Sequence, residues 1–377
     1  MENKTIMENK TKEIFWCKNC VSMSTRPRIT FDKNGVCNAC QWSINKKKLD
    51  WRNKVYELEK LLNKYRKKDG SYDCLVPVSG GKDGSYIAYN LKHKYNMNPL
   101  CVTIRPPLTS ELGDKNLQNF INSGYSLISV DPGYNAMQKL NKTGFFNMGF
   151  PYYGWLLSIF TGPPIIAEKF GIELIFYGED GELEYGGSTE LKNSYLFSAD
   201  YIKEIYFERG YDKVIKKSKL SNKELFFFKF PNKNNKIKFT HWSYFEDWDP
   251  YRNYLIAKKF CGLQENIKCN KGTFTNFAQN DQLLYTLHTY LMYLKFGFGR
   301  ANQDASIEVR RGAMSRRQAV NLVKLYDAEQ PSEEQISEYL NYYKITKKKY
   351  DIVINKWVNK NFFKKNKNVW VPIYTIK

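Results

Sequence analysis

Long apolar runs are what this sequence most plainly lacks. Its longest stretches, such as Trp155 to Phe160, are of core size and far short of the roughly 18 residues that a bilayer span requires, so no membrane helix is expected. Histidine is scarce as well. His93, His241 and His288 are the whole supply, none stands in a nucleophile or metal pattern, and histidine-centred catalysis is not expected. Acidic residues are outnumbered, 38 against 59 basic ones, giving a formal charge of +21. A basic surface attracts polyanions. Much of the lysine, however, is scattered among Asn and Tyr, as at Lys46 to Lys48, Lys216 to Lys219, Lys347 to Lys349 and Lys364 to Lys367, which reads as compositional bias; nucleic acid is not the expected partner. Residues 1–12 are polar, repeat Met-Glu-Asn-Lys-Thr, and offer no apolar stretch for a secretory signal, so they read as a disordered tail of a cytoplasmic protein.

What is present is ample core material. Hydrophobic residues are 42% and aromatics 16% of 377 positions, enough for two or three packed units. Cysteine is distributed unevenly, with four of eight between Cys17 and Cys40. Cys17-x-x-Cys20 and Cys37-x-x-Cys40 have the spacing of a four-cysteine zinc ribbon, in which two knuckles converge on one tetrahedral ion. With every ligand position filled by sulfur, such a zinc would be structural. Disulfides and an iron-sulfur cluster are the rival readings; a cytoplasmic setting disfavours the first and nothing local favours the second. Cys74, Cys101, Cys261 and Cys269 show no paired spacing and read mostly as buried apolar thiols.

After this cluster, Tyr56, Leu58, Leu61, Leu62 and Tyr65 recur at helical spacing. Short apolar runs then follow at Cys74 to Val78, Leu100 to Ile104, Leu127 to Val130 and Ile172 to Tyr177, with segments of helix length between them. This alternation predicts an α/β fold with a Rossmann-like parallel sheet and a ligand at the strand carboxyl ends. The organisation expected is a tail at 1–12, a zinc ribbon at 13–50, the α/β domain at 51–200, a basic and aromatic insertion at 201–272, and a helical C-terminal region at 273–377.

The chemistry concentrates in Ser79-Gly80-Gly81-Lys82-Asp83-Gly84-Ser85, between a predicted strand and a helix pattern over Tyr86 to Lys94. Gly80 and Gly81 let backbone N–H groups approach phosphate oxygens, Ser79 and Ser85 add hydroxyls, Lys82 adds charge, and the helix offers its positive end. Asp83 beside phosphates is repelled unless it caps the helix or holds Mg²⁺. The Walker A spacing is missing, which removes support for a kinase or GTPase.

This loop resembles the signature of the PP-loop ATP pyrophosphatases, Ser-Gly-Gly-x-Asp-Ser, with Gly84 inserted before Ser85. Together with the cysteine pairs, Tyr177-Gly-Glu-Asp-Gly-Glu-Leu-Glu-Tyr-Gly-Gly187 and Lys295-Phe-Gly-Phe-Gly-Arg-Ala-Asn-Gln-Asp304, it makes the chain similar to the N-acetyl sugar amidotransferases of that class. The resemblance implies ATP and Mg²⁺, adenylation of an N-acetyl carbonyl oxygen on a bacterial nonulosonic, pseudaminic acid-type sugar, and displacement of AMP by ammonia to leave an acetamidino group for flagellin or surface-glycan modification. Lys82 and Asp83 become catalytic candidates, and Gly178 joins the nucleotide-binding set. Glu179, Asp180 and Glu184 would hold Mg²⁺ or accept protons from ammonia, against the alternative of a solvated acidic turn.

Arg105, at a strand end, would bind a sugar carboxylate or lie on the surface; Tyr152, Tyr153 and Trp155 would stack on sugar or pack in the core. Arg300 and Asp304, four apart, either pair or reach substrate, and Tyr185 stands in the motif with Glu179. No Gly-x-Cys-x-Gly elbow is present, so ammonia is expected free or from a separate glutaminase subunit. The competing readings are a tRNA-thiolating PP-loop enzyme and a non-catalytic scaffold.

Overall fold

The computed structural model describes residues 13–231, 236–367 and 369–376, so the expected tail at 1–12 lies outside the described residues. Helix α1 (Asn38–Lys46) follows the second cysteine pair, and α2 (Trp51–Tyr65) leads away from it. Asp50 starts α2 by accepting from the N–H groups of Arg52 and Asn53, and Leu58, Leu61 and Leu62 form its buried stripe. The α/β unit then runs through β1 (Cys74–Pro77), α3 (Lys82–Tyr89), β2 (Pro99–Ile104), α4 (Glu111–Asn122), β3 (Leu127–Val130), α5 (Tyr134–Met148), α6 (Tyr153–Lys169) and β4 (Leu174–Tyr177). Next come α7 (Gly181–Tyr185), β5 (Leu196–Phe197), α8 (Ala199–Tyr201), α9 (Tyr211–Ser218), β6 (Lys238–His241) and α10 (Pro250–Cys261). The remainder comprises α11 (Leu284–Phe296), α12 (Arg300–Arg311), α13 (Arg316–Tyr326), α14 (Glu333–Tyr343), α15 (Lys347–Trp357), β7 (Phe363–Asn366) and β8 (Val369–Pro372).

Six strands form one sheet in the order β3-β2-β1-β4-β6-β5, parallel except where β5 meets β6. The parallel α/β reading is therefore correct, and its cause is legible in the strands. Cys74, Leu75 and Val76 are all buried because both faces of the sheet are covered. Leu75, Leu100 and Val102 pack into a core with Leu140, Phe145 and Leu157, whereas Cys74, Val76 and Cys101 pack with Leu58, Ile87 and Phe120 on the other side. Each such buried aliphatic or aromatic side chain contributes about 1.5–3 kcal/mol.

Two stretches depart from expectation. Part of the anticipated insertion at 201–272 belongs to the central sheet: Lys238–His241 pairs along all four residues of β4. The C-terminal region is helical as far as Trp357 but closes on an antiparallel hairpin of β7 and β8. The helix after the glycine loop also starts earlier than predicted, at Lys82, and its tail at Asn90–Lys94 widens into a π turn.

Strand order reverses between β1 and β4. Chains leaving neighbouring strands there turn to opposite sides, opening a crevice beyond the carboxyl ends of the strands. The glycine loop after β1 and the turn after β4 both open onto it.

Candidate functional site

The crevice has a volume of about 290 Å³ and is walled by the glycine loop, Glu179, Arg300, Tyr285 and the segment from Phe277 to Asp281. Its floor is the start of α3. Gly81 is the residue preceding that helix, in extended conformation, with no side chain capping the first turn. The first N–H groups of α3 therefore have no partner within the helix, and Gly81, Lys82, Asp83 and Gly84 all line the cavity. An uncapped helix start of this kind can accept an anion on its backbone.

Each glycine has a separate task. Gly80 has φ +77, and a Cβ there would lie 2.4 Å from the backbone nitrogen of Leu117 on α4, so this position serves close packing. A Cβ on Gly84 would come within 2.8 Å of the Pro77 carbonyl, so Gly84 lets α3 lie tightly on β1. A Cβ on Gly81 would meet only Ser79 Oγ, at 3.3 Å, a tight contact that a small shift of that side chain relieves. A Cβ on Gly178, just after β4, would lie 3.3 Å from the Trp248 ring and 3.4 Å from Asp83 Cβ, so glycine suits the close approach there.

Lys82 Nζ pairs with Asp83, whose other oxygen accepts from Asn253 Nδ2 at 3.3 Å. Glu179 faces them across the cavity and accepts from the Tyr185 hydroxyl at 2.8 Å. Burial raises the Glu179 carboxyl above its ordinary value, the neighbouring Asp83 charge pushes the same way, and Lys82 opposes. Arg300 reaches the crevice while bound to Asp304 at 2.8 Å, and Asp304 also accepts from Thr273 at 2.6 Å. Of the two roles considered for Arg300 and Asp304, pairing is present, and the guanidinium also faces the cavity.

The other acidic candidates point elsewhere. Asp180 and Glu184 line a second cavity, with Trp42, Lys54, His241 and Tyr244. Asp180 caps α7 by accepting from Glu182 N at 3.0 Å, its second oxygen is buried without a hydrogen-bond partner among the described residues, and burial lifts its pKa to about 7. Glu184 accepts from Trp42 Nε1 and Lys46 Nζ, both at 3.1 Å, and so ties α7 to α1. Only Glu179 of this trio reaches the crevice, because the chain turns at Gly178 and adjacent side chains leave on opposite sides.

Ser85 is fully buried, its hydroxyl lacks a partner among the described residues, and it does not line the crevice. The phosphate-donor role expected of it is corrected: one helical position past Gly84, it faces the core. Arg105 is half exposed and lies 3.7 Å from Asp114 on α4, outside the crevice lining, which is the surface alternative. Tyr153 is fully buried with its hydroxyl on the Phe207 carbonyl, and Trp155 donates to the Ile104 carbonyl, which leaves both in the core. Tyr152 is buried against Trp155, Tyr285 and His288 and supports the wall without lining it.

Sequence reasoning missed the wall formed by the loop between α10 and α11. Asn266, Asn270, Asn276 and Asn280 bind one another and the loop backbone, making a rigid polar lattice from residues without helical or strand period. Asn116 clamps its start, accepting from Gln264 N and donating to Gln264 O. Gln279 is held at φ +59 in the cavity wall, a conformation that costs about 1–3 kcal/mol and is retained where the surroundings enforce it. Burial raises Asp281, beside it, to about 6. A clue was present in the repeated asparagines, which favour local backbone bonding and left-handed turns.

The four clustered cysteines are all buried, and their sulfur atoms lie within 4.8 Å of one another. Cys17 and Cys40 are 3.8 Å apart, Cys20 and Cys37 3.7 Å. Those separations are too long for disulfides, whose sulfurs lie about 2.0 Å apart, and they suit four thiolates around one ion. Arg310 Nη1 lies 3.6 Å from Cys20 Sγ and Nη2 donates to the Glu184 carbonyl, while Arg316 Nε donates to the carbonyls of Cys17 and Cys20. Cations from α12 and α13 thus offset the charge that four thiolates would concentrate. None of the described helices is long and apolar enough to cross a membrane.

Residues 271–377 match the family model described as LPS biosynthesis protein WbpG-like, C-terminal domain. A stretch of 89 residues, 23% of the chain, is 33% identical to an uncharacterized protein of Methanocaldococcus jannaschii. The chain matches about a third of the length of that curated relative, 32%.

Proposed function

We propose that a chain with a WbpG-like C-terminal domain and an uncapped glycine loop at a sheet switch point is an ATP-dependent amidotransferase acting on an N-acetylated sugar of a bacterial surface glycan. The observation that carries this reading is the meeting of the free helix start at Gly81 to Gly84 with Lys82, Glu179 and Arg300 in one crevice. In the proposed reaction the amide carbonyl oxygen attacks the α-phosphorus of ATP and pyrophosphate departs. Ammonia then adds to the activated carbon, AMP leaves with the former carbonyl oxygen, and the product is an acetamidino group plus a proton.

The N–H groups of α3 and Lys82 would hold the departing pyrophosphate, and Arg300 would face the same negative charge. Asp83 and Glu179 fit Mg²⁺, because two carboxylates beside phosphates require a cation between them. As the alternative to holding Mg²⁺, Glu179, whose proton affinity burial raises, would take the proton released as ammonia becomes an amidine nitrogen. The cysteine cluster would carry zinc in a structural role. Ammonia would come free or from a separate glutaminase subunit, and a pseudaminic acid-type nonulosonic sugar is the substrate proposed.

The tRNA-thiolating alternative wants additional reactive cysteines. Cys261 is 1% exposed and lies against the Ser85 carbonyl, Cys269 is exposed, and neither lines the crevice, which favours nitrogen transfer. The test is mass spectrometry of products after mixing the protein with Mg-ATP, ammonium and a di-N-acetylated nonulosonic acid. Replacement of O by NH together with AMP release is expected. If no N-acetylated sugar elicits AMP, the reading fails.

A further inference from the structure

Another cavity, of about 170 Å³, lies at the seam between the cysteine cluster, the end of α5 and helix α11, and includes Arg26, Lys295, His288, Phe150, Phe298 and Gln303 in its lining. Its lining carries Arg26, Arg28 and Lys295 against the carboxylates Glu182 and Glu208. Arg28 is consumed by a bidentate pair with Glu182, both contacts at 2.7 Å. Lys295 donates to the Met148 carbonyl at 2.9 Å and feels the opposite charge of Glu208. Arg26 has no carboxylate within ion-pair distance among the described residues, and its buried Nε has no hydrogen-bond partner. Its guanidinium instead lies 5.4 Å from the centre of the Tyr185 ring and 5.9 Å from that of Phe298.

An arginine fixed over aromatic rings with its donors unused is preorganised for a planar or tetrahedral oxyanion. Phe150, Phe296 and Phe298 give the cavity apolar faces of the kind that lie against sugar carbons. His288, which burial keeps neutral with its pKa lowered to about 3, leaves its buried Nδ1 without a partner among the described residues and so offers an unused hydrogen-bonding atom. The cavity is not isolated from the reaction crevice. Tyr185, over which Arg26 is stacked, donates its hydroxyl to Glu179.

We propose that this cavity binds the anionic group of an acidic sugar substrate, with Arg26 as its receptor. The inference rests on the amidotransferase reading for the identity of the sugar, whereas the cavity's binding is measurable without ATP or turnover. The shared chemistry is a sugar bearing an oxyanion, which a carboxylate or a nucleotide diphosphate would supply.

Isothermal titration of the full chain without ATP, using N-acetylneuraminic acid, UDP-N-acetylglucosamine and neutral N-acetylglucosamine as probes, decides it. One charged probe should bind, the neutral sugar at least about 10-fold more weakly, and Arg26→Gln should weaken the charged probe about 10- to 100-fold, since a hydrogen bond to a charged group is worth about 1.5–3 kcal/mol. Arg26→Lys should recover part of that loss. Which charged probe binds identifies the carboxylate or the diphosphate as the source. Equal binding of all three sugars, no binding by the folded wild type, or an Arg26→Gln protein that binds as wild type would each overturn the proposal. If charged-sugar binding holds and AMP never forms, the amidotransferase reading falls and the receptor stands.

Discussion

Gly80→Ala is the change whose consequence follows most directly from geometry. The residue stands at φ +77, where a side chain costs about 1–2 kcal/mol. The new Cβ would sit 2.4 Å from Leu117 N, 2.6 Å from the Asn116 carbonyl carbon and 2.7 Å from Leu117 Cα. These are backbone atoms inside α4, so the loop must move by about 1 Å, and overpacking of this kind costs about 1–3 kcal/mol more. The total is about 2–5 kcal/mol. At about 2 cal/mol/K of unfolding entropy per residue, this corresponds to a melting temperature lower by roughly 3–6 °C. The functional loss should be larger in proportion, because a displacement of about 1 Å in a group that positions reactants can lower turnover about 100-fold.

Gly81→Ala is the control, with φ in the ordinary extended range and Ser79 Oγ at 3.3 Å as its nearest neighbour. Differential scanning fluorimetry and AMP release on the two variants give the comparison. Should Gly80→Ala melt like Gly81→Ala, the assigned packing of the loop on α4 is wrong.

Asp83→Ala should lower AMP formation by about 100-fold or more while leaving the melting temperature nearly unchanged, and wild-type turnover would remove Asp83 from the chemistry. Cys20→Ser should abolish stoichiometric zinc in metal analysis of the purified protein and lower its melting temperature; retention of one zinc per chain would refute the four-sulfur site. Asp180 has a folded-state pKa of about 7 against an ordinary 3.8, so the folded chain holds a proton that the unfolded chain releases. Its contribution is therefore fully present below about pH 4 and declines as pH rises to about 7, a loss of up to about 4 kcal/mol. Asp180→Asn keeps the cap and should flatten that decline in urea unfolding series; parallel wild-type and variant profiles would contradict the assigned burial.

The parts of the fold legible in sequence were those with a strong local pattern. The run at Leu100 to Ile104 is buried throughout because both faces of the sheet are covered, while Leu127 to Val130 forms the edge strand with Ser129 exposed, and β2 and β3 fall there. Strand β6 escaped because Lys238-Phe-Thr-His241 is short, follows a polar stretch and gains its place only by pairing with β4. Within the site, the loop declared itself through its glycines, but the direction of each side chain did not. Glu179 and Asp180 are adjacent in sequence and enter different cavities, and Ser85 turns inward because of where α3 begins. Tyr153 and Trp155 illustrate the same limit: an aromatic near a glycine-rich segment has the same composition whether its partner is a sugar or the Phe207 carbonyl.

The guanidinium contacts on the cysteine cluster set an order of assembly. Cys20 and Arg310 are 290 positions apart, and Arg316 reaches back to the same knuckle. A ribosome releasing about 5–20 residues per second exposes the sulfurs many seconds before the cations that stabilise them exist. Metal captured early would sit in a loose, highly charged knot, and only completion of α12 and α13 would lock it, so maturation of the cysteine unit waits on helices made 290 positions later.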